Sequence, residues 1–173
     1  MTATLKEERA APAGPAQGYA PGPEERPLAG YAILIAAFSA LLLIALIALR
    51  RSGQELPQRP RLRDVLLVGA ATHKASRLIG KDKVTSALRA PFAEYQGPGA
   101  PGEVEEKPRG RGLRYAVGEL ITCPYCLSMW VATAFALGLA AAPRATRLAA
   151  FILTAVGISD FLQIAYKGAG ETA

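Results

Sequence analysis

Tyr31–Leu49 reads YAILIAAFSALLLIALIAL, nineteen residues without a charge. At about 1.5 Å of rise per residue, a helix of this length covers most of a hydrocarbon core about 30 Å thick. A helix packed on a water-soluble core keeps a polar face, and this stretch has essentially none. Thirty residues precede it and Arg50-Arg51 follows it, with no small-residue cleavage site, so it reads as a retained anchor. Two more blocks share its character. Leu120–Ala142 is uncharged, and Leu148–Tyr166 carries only Asp160. The three blocks predict an all-α, multi-span helical membrane protein.

The segments between the blocks divide the chain. Residues 1–30 are rich in Ala, Pro and Gly and hold too few large apolar side chains to offset their ordering entropy, which predicts a disordered tail. Residues 31–49 follow as the first span and residues 50–63 as a basic linker. Residues 64–167 then form one membrane domain: a helix at 64–80, a loop at 81–119, and a helical hairpin at 120–166 closed tightly at Pro143. Residues 168–173 are a tail. Within the long loop, residues 93–111 carry seven Gly and Pro residues and read as poorly ordered, with Glu103, Glu105 and Glu106 as a solvated charge run.

The net charge of +6 is unevenly spread. Residues 1–30 hold three basic and four acidic groups, and residues 50–119 hold fourteen and eight. Basic flanks resist translocation and bind anionic lipid, which predicts a cell-membrane protein with its N-terminus outside and its middle loop and C-terminus cytoplasmic. The lipid bilayer is the implied partner, with a homo-oligomer or a further protein left open. Nucleic acid is excluded as the use of this charge, because no stripe of interleaved Arg and aromatic residues is present.

Asp64–Gly80, DVLLVGAATHKASRLIG, is the intermediate case. Gly69, Thr72, His73, Ser76, Arg77 and Gly80 recur at three and four positions and share one helical face. The segment fits a helix lying in the interface, an inserted helix whose polar stripe faces other helices, or a helix of a soluble subdomain. In the last block Ser159, Asp160, Gln163, Tyr166 and Lys167 share a face. A carboxylate in hydrocarbon must be paired or solvated, so Asp160 is expected against His73, Lys74 or Arg77, or else at headgroup water.

Thr122-Cys-Pro-Tyr-Cys126 holds both cysteines of the chain. Proline suits the first turn of a helix, so Cys123 fits an N-cap with Pro124 at the first helical position. A thiol there meets free backbone amides and the positive end of the dipole, which favours thiolate. Three readings follow. Cys123 and Cys126 shape or staple a helix start; or Cys123 attacks and Cys126 resolves in thiol–disulfide exchange; or Cys123, Cys126 and His73 ligate zinc, one ligand short unless Glu119, Asp160 or a second chain completes the four. A cytoplasmic setting would keep the thiols reduced. Cys-Pro-Tyr-Cys resembles the active-site string of glutaredoxins, yet no βαβ pattern surrounds it. No Gly-rich phosphate loop, HExxH or nucleophile elbow occurs, so no catalytic set is read and the balance falls against an enzyme.

Larger strings carry a wider resemblance. DVLLVGAATHKASRLI (64–79), KDKVTSALRAPF (81–92), GLRYAVGELITCPYCLSMW (112–130) and Ser159-Asp160-Phe161-Leu162 with Tyr166 resemble the bacterial family called domain of unknown function 1360. The resemblance covers residues 62–167. It implies a small integral membrane protein, some relatives bearing sporulation-associated names, with no activity, cofactor or partner attached. It also singles out Lys74, Ser76, Arg77, Asp82, Arg89, Pro91, Phe92, Glu119, Cys123, Cys126, Trp130 and Asp160. With His73, these polar residues are expected as one cluster at a membrane interface, with Arg77, Glu119 and Asp160 paired by charge. The leading functional reading is a structural or scaffolding membrane protein.

Overall fold

The computed structural model describes residues 26–54 and 61–171. The expected tail over 1–30 lies mostly outside them, as does the middle of the linker. Six α-helices form among the described residues: α1 (Leu28–Arg51), α2 (Leu62–Gly80), α3 (Ser86–Arg89), α4 (Gly112–Thr122), α5 (Pro124–Ala141) and α6 (Pro143–Glu171). A short 3-10 turn, Lys83–Thr85, precedes α3. The chain is not all-α. β1 (Ala93–Pro98) and β2 (Val104–Pro108) pair as an antiparallel hairpin, with Ala93 opposite Pro108 and a bulge between Tyr95 and Gly97.

Three of the helices, α1, α5 and α6, are long and apolar enough to cross a membrane. α1 is stopped by a local device. Ser52 caps it, Gly53 adopts φ +71°, and the amides of Gly53 and Gln54 return to the carbonyls of Arg50 and Leu49 at 3.3 and 3.1 Å. That is the Schellman arrangement, which needs a left-handed residue where glycine stands. At the other end, α5 starts as the Cys-Pro step requires, with Cys123 as N-cap and Pro124 at the first helical position. The chain turns from α5 into α6 through Ala142 alone. Gly138 makes that possible, since a Cβ on it would lie 2.8 Å from Thr146 Oγ1.

The helix directions are set by residue-to-residue contacts. α2 meets α6 at Asp64–Arg147, then Leu67–Thr154, then Lys74–Asp160, with both numbers rising, so the two helices run parallel. α1 meets α4 and α5 at Tyr31–Glu119 and then Phe38–Trp130, so α1 and α5 also run parallel. α2 ends where α5 begins, Gly80 lying against Ile121 O and Pro124. The start of α1, the end of α2 and the start of α5 therefore gather at one end of the bundle. Residues 81–122 form a headpiece over that end.

The buried positions of α2 are Asp64, Ala71, Thr72, Ala75, Ser76 and Gly80, all small or polar. Its exposed positions are Leu62, Arg63, Val65, Leu66, Gly69, Ala70 and His73, apolar but for Arg63 in the first turn and His73. This inverts the pattern of a helix in a water-soluble domain, where the large apolar side chains face inward.

Candidate functional site

Residues 81–108, expected as loop, are where most of the ion pairs form. The hairpin docks on the end of α2 through backbone bonds, Val104 N to Lys81 O at 2.9 Å and Lys83 N to Gly102 O at 3.0 Å. That docking sets carboxylates opposite a cationic stripe on the last turns of α2. Arg77 donates to Glu103 through Nε at 2.8 Å and Nη2 at 2.5 Å. Lys81 Nζ meets Glu105 at 2.8 Å. The reading of Glu103, Glu105 and Glu106 as a solvated charge run is thereby corrected: β2 holds Glu105 and Glu106, a bridge to Asp82 holds Glu103, and each has a basic partner.

Arg89 is the centre of the headpiece and is fully buried. Nε bonds Glu106; Nη1 reaches Ile79 O and Thr85 Oγ1, both at 2.6 Å; Nη2 reaches Asp82 O at 3.0 Å and Ser86 Oγ at 3.3 Å. All five guanidinium donors are satisfied. Two of the acceptors are carbonyls at and just past the end of α2, so Arg89 closes that helix as well as pairing its acid. α4 lies on the base of the hairpin through Gly118, where a Cβ would come within 2.5 Å of Phe92 O and 3.0 Å of Pro108. Pro91 O accepts from Arg114 Nε at 2.9 Å and Nη2 at 2.6 Å.

The remaining expected residues fall into two further groups. Lys74 Nζ lies 2.8 Å from Asp160 and 3.8 Å from Asp82. Burial raises the Asp82 carboxyl above its usual range, opposed by Lys74. His73 stacks on Phe161, ring centroids 6.2 Å apart. These groups line a cavity of about 630 Å³ between α2, α6 and the hairpin tip. The Ser76 hydroxyl is buried on the inner face of α2 without a hydrogen-bond partner among the described residues.

Glu119 lies elsewhere. It accepts from Tyr31 Oη and pairs with Arg26 at 3.3 Å, between α1 and α4. The expected triad of Arg77, Glu119 and Asp160 does not form: Asp160 pairs with Lys74, Arg77 with Glu103, and Glu119 with Tyr31 and Arg26. Glu119 shares an apolar groove of about 500 Å³ with Leu34, Ile35, Leu120 and both cysteines.

The cysteines are free thiols, Cys123 half-buried and Cys126 exposed. Cys126 N donates to Cys123 Sγ at 3.3 Å, and Cys126 Sγ lies 2.8 Å from it. His73 lines the other cavity, and no three His, Cys, Asp or Glu residues among the described ones are grouped to hold a metal. The proposed ligand set of Cys123, Cys126 and His73 is therefore not brought together.

Sequence reasoning missed Lys81, Glu103, Glu105, Glu106, Asp64, Arg147 and Tyr31. One signal was present. Lys74, Arg77 and Lys81 follow each other at three and four positions on α2, and Glu103 and Glu105 alternate as on one face of a strand.

Comparison with known proteins agrees with the strings quoted above. The model of a family described as a protein of unknown function, DUF1360, matches residues 67–166. A Bacillus subtilis (strain 168) protein named sporulation protein YjcA is 28% identical over 102 residues, 57% of this chain and 86% of its own length. No solved structure matches.

Proposed function

The chain belongs to the DUF1360 family of proteins of unknown function, and we propose that it is a structural membrane protein, a helical bundle built to hold a rigid headpiece at one bilayer face. The observation that carries this reading is the use of the charges. Arg77, Lys81, Arg89 and Lys74 are each engaged by a carboxylate of the fold. Groups committed to one another in this way hold segments together.

The reading includes four crossings, α1, α2, α5 and α6. Support comes from helix direction. α1 and α5 run parallel, so the chain must return to its starting end between them, and α2 is the helix that does so. Its 19 residues extend about 28 Å, close to a hydrocarbon thickness. Its small inner residues and apolar outer stripe suit a helix among helices in lipid. In this arrangement the end of α1 and the α5–α6 turn share one face, and the headpiece, the start of α1 and the end of α6 share the other. The first helix has Arg26 before it and Arg50, Arg51, Arg59, Arg61 and Arg63 after it. Arg144 and Arg147 bring the linker side to seven basic residues, as many as the headpiece carries, so the side is taken from the flanks of the first helix, which make the linker cytoplasmic. The headpiece is then outside, in contrast to the expectation that residues 81–119 share a side with the linker.

Exchange of a charge pair tests the structural reading. Arg77→Glu and Glu103→Arg, each alone, lower the amount of protein in membranes several-fold, and the double variant recovers most of it. Single variants of normal abundance would contradict the reading, above all if they lose their cellular effect. The Bacillus subtilis relative is called a sporulation protein; by likeness, a developing cell is the setting in which to look for that effect.

A further inference from the structure

The two thiols have an obvious reaction available, and the bundle geometry decides its compartment. Cys123 and Cys126 lie at the start of α5, beside the end of α2 and next to the headpiece. With α2 crossing the bilayer, that end is the one opposite the arginine-rich linker. We propose that Cys123 and Cys126 are a modification site, oxidised to an intramolecular disulfide at the outer face of the membrane. The inference rests on the four-crossing reading above.

Geometry supports the step. The sulfurs are 2.8 Å apart without any backbone change. The N-cap position makes the Cys123 sulfur the acceptor for both the Cys126 amide and the Cys126 thiol. Negative charge is best held on Cys123, which therefore attacks first. Its thiolate attacks a disulfide presented by an oxidising protein of the outer compartment, forming a mixed disulfide and releasing one thiol. Cys126 loses its proton and displaces the second sulfur, closing the 123–126 ring. Two thiols of the chain have then been oxidised and one partner disulfide reduced to two thiols, with the protons conserved. Compartment decides whether the product persists, since disulfides last outside the bacterial cytoplasm and are reduced within it.

The consequence is local and mechanical. A closed ring locks the N-cap of α5 and the wall of the groove shared with Tyr31 and Glu119. It also removes two nucleophiles from a site where Cys126 is exposed.

The test measures oxidation state and sidedness separately on the full-length protein in cells. Cells are quenched in acid, denatured, and treated with a maleimide that adds mass to free thiols, with and without prior reduction. In parallel, Gln96→Cys on a Cys123→Ala/Cys126→Ala background is exposed in intact cells to a membrane-impermeant maleimide; Gln96 is exposed on β1. The expected result is no mass added without reduction, two additions after it, and labelling of Gln96→Cys from outside. Two free thiols together with outside labelling overturn the disulfide and leave the membrane reading standing. Labelling of Gln96→Cys only in broken cells overturns the sidedness and the compartment argument with it. A wild-type chain that runs as a disulfide-linked dimer until it is reduced overturns the intramolecular pairing.

Discussion

The two parallel seams of the bundle are built from different materials. α2 against α6 is a polar seam, pinned by Asp64–Arg147 at one end and Lys74–Asp160 toward the other, with Thr154 donating to Leu67 O at 3.1 Å between them. α1 against α5 is apolar, its one ring contact being Phe38 edge-on to Trp130 at 5.1 Å. Tyr31–Glu119 closes its headpiece end. The difference teaches how each seam obtains direction. Apolar packing in lipid tolerates sliding, because hydrocarbon tails are as apolar as the side chains they replace. Charge pairs at two heights fix both register and polarity. A helix with the short apolar length of α2 needs that fixing more than the long anchor does.

The largest effect is expected at the join between the polar seam and the headpiece. Arg89→Ala leaves Glu106 buried without its partner and uncovers the carbonyls of Ile79 and Asp82, at a cost of about 3–5 kcal/mol. Arg89→Lys recovers little, since an ammonium cannot reproduce the five-donor fork. Thermal unfolding in detergent with a fluorescent reporter on the hairpin reads the loss.

Gly118→Ala comes next. Its Cβ meets the Phe92 carbonyl, so α4 must lift from the hairpin, costing about 1–3 kcal/mol. Gly69→Ala on the open face of α2 meets nothing within 4 Å and serves as the neutral control.

Lys74→Ala breaks the polar seam by removing the cation that lies 2.8 Å from Asp160 and 3.8 Å from Asp82. Asp160→Asn leaves Lys74 one carboxylate still, so it is the milder of the two. Membrane abundance ranks them, with a several-fold drop for the first, as follows when stability changes by about 1–2 kcal/mol. Phe38→Ala should cost about 0.5–1.5 kcal/mol beyond the lost area, without altering the labelling of the hairpin.

The smallest effect is expected at the far end of the polar seam. Asp64→Asn removes the charge that Arg147 Nε meets at 2.9 Å, and membrane abundance should fall less than it does for Lys74→Ala.

How much of this was legible beforehand differs between the same regions. α1, α5 and α6 announce themselves, because an uncharged run of span length has few alternatives. The start of α5 was also readable, since Cys-Pro limits where a helix can begin. The headpiece was not. Gly97, Pro98, Gly99, Pro101 and Gly102 look like disorder when counted, yet Gly102 at φ +83° and the bulge beside Gly97 are what a tight hairpin requires. The strands themselves, AEYQGP and VEEKP, are poor in β-branched residues. They are held by pairing to α2, which is a tertiary cause that local propensity cannot carry. The site suffered the same fate. Arg77, Lys74 and Asp160 were recognisable as charges needing partners, but the partners Glu103 and Asp82 arrive from the segment read as loop. Glu119 was assigned to the wrong group because the direction of α1 relative to α5 is not written in either helix alone.

The return of the chain through α2 is the central claim, and paired side-specific labelling tests it directly. On a cysteine-free chain, Gln54→Cys after α1 and Gln96→Cys on the hairpin are each exposed to an impermeant maleimide in intact and in opened cells. Four crossings predict opposite sides, Gln96→Cys labelled from outside and Gln54→Cys only after opening. Both positions reacting from the same side would contradict the account, returning α2 to the membrane surface and the headpiece to the side of the linker.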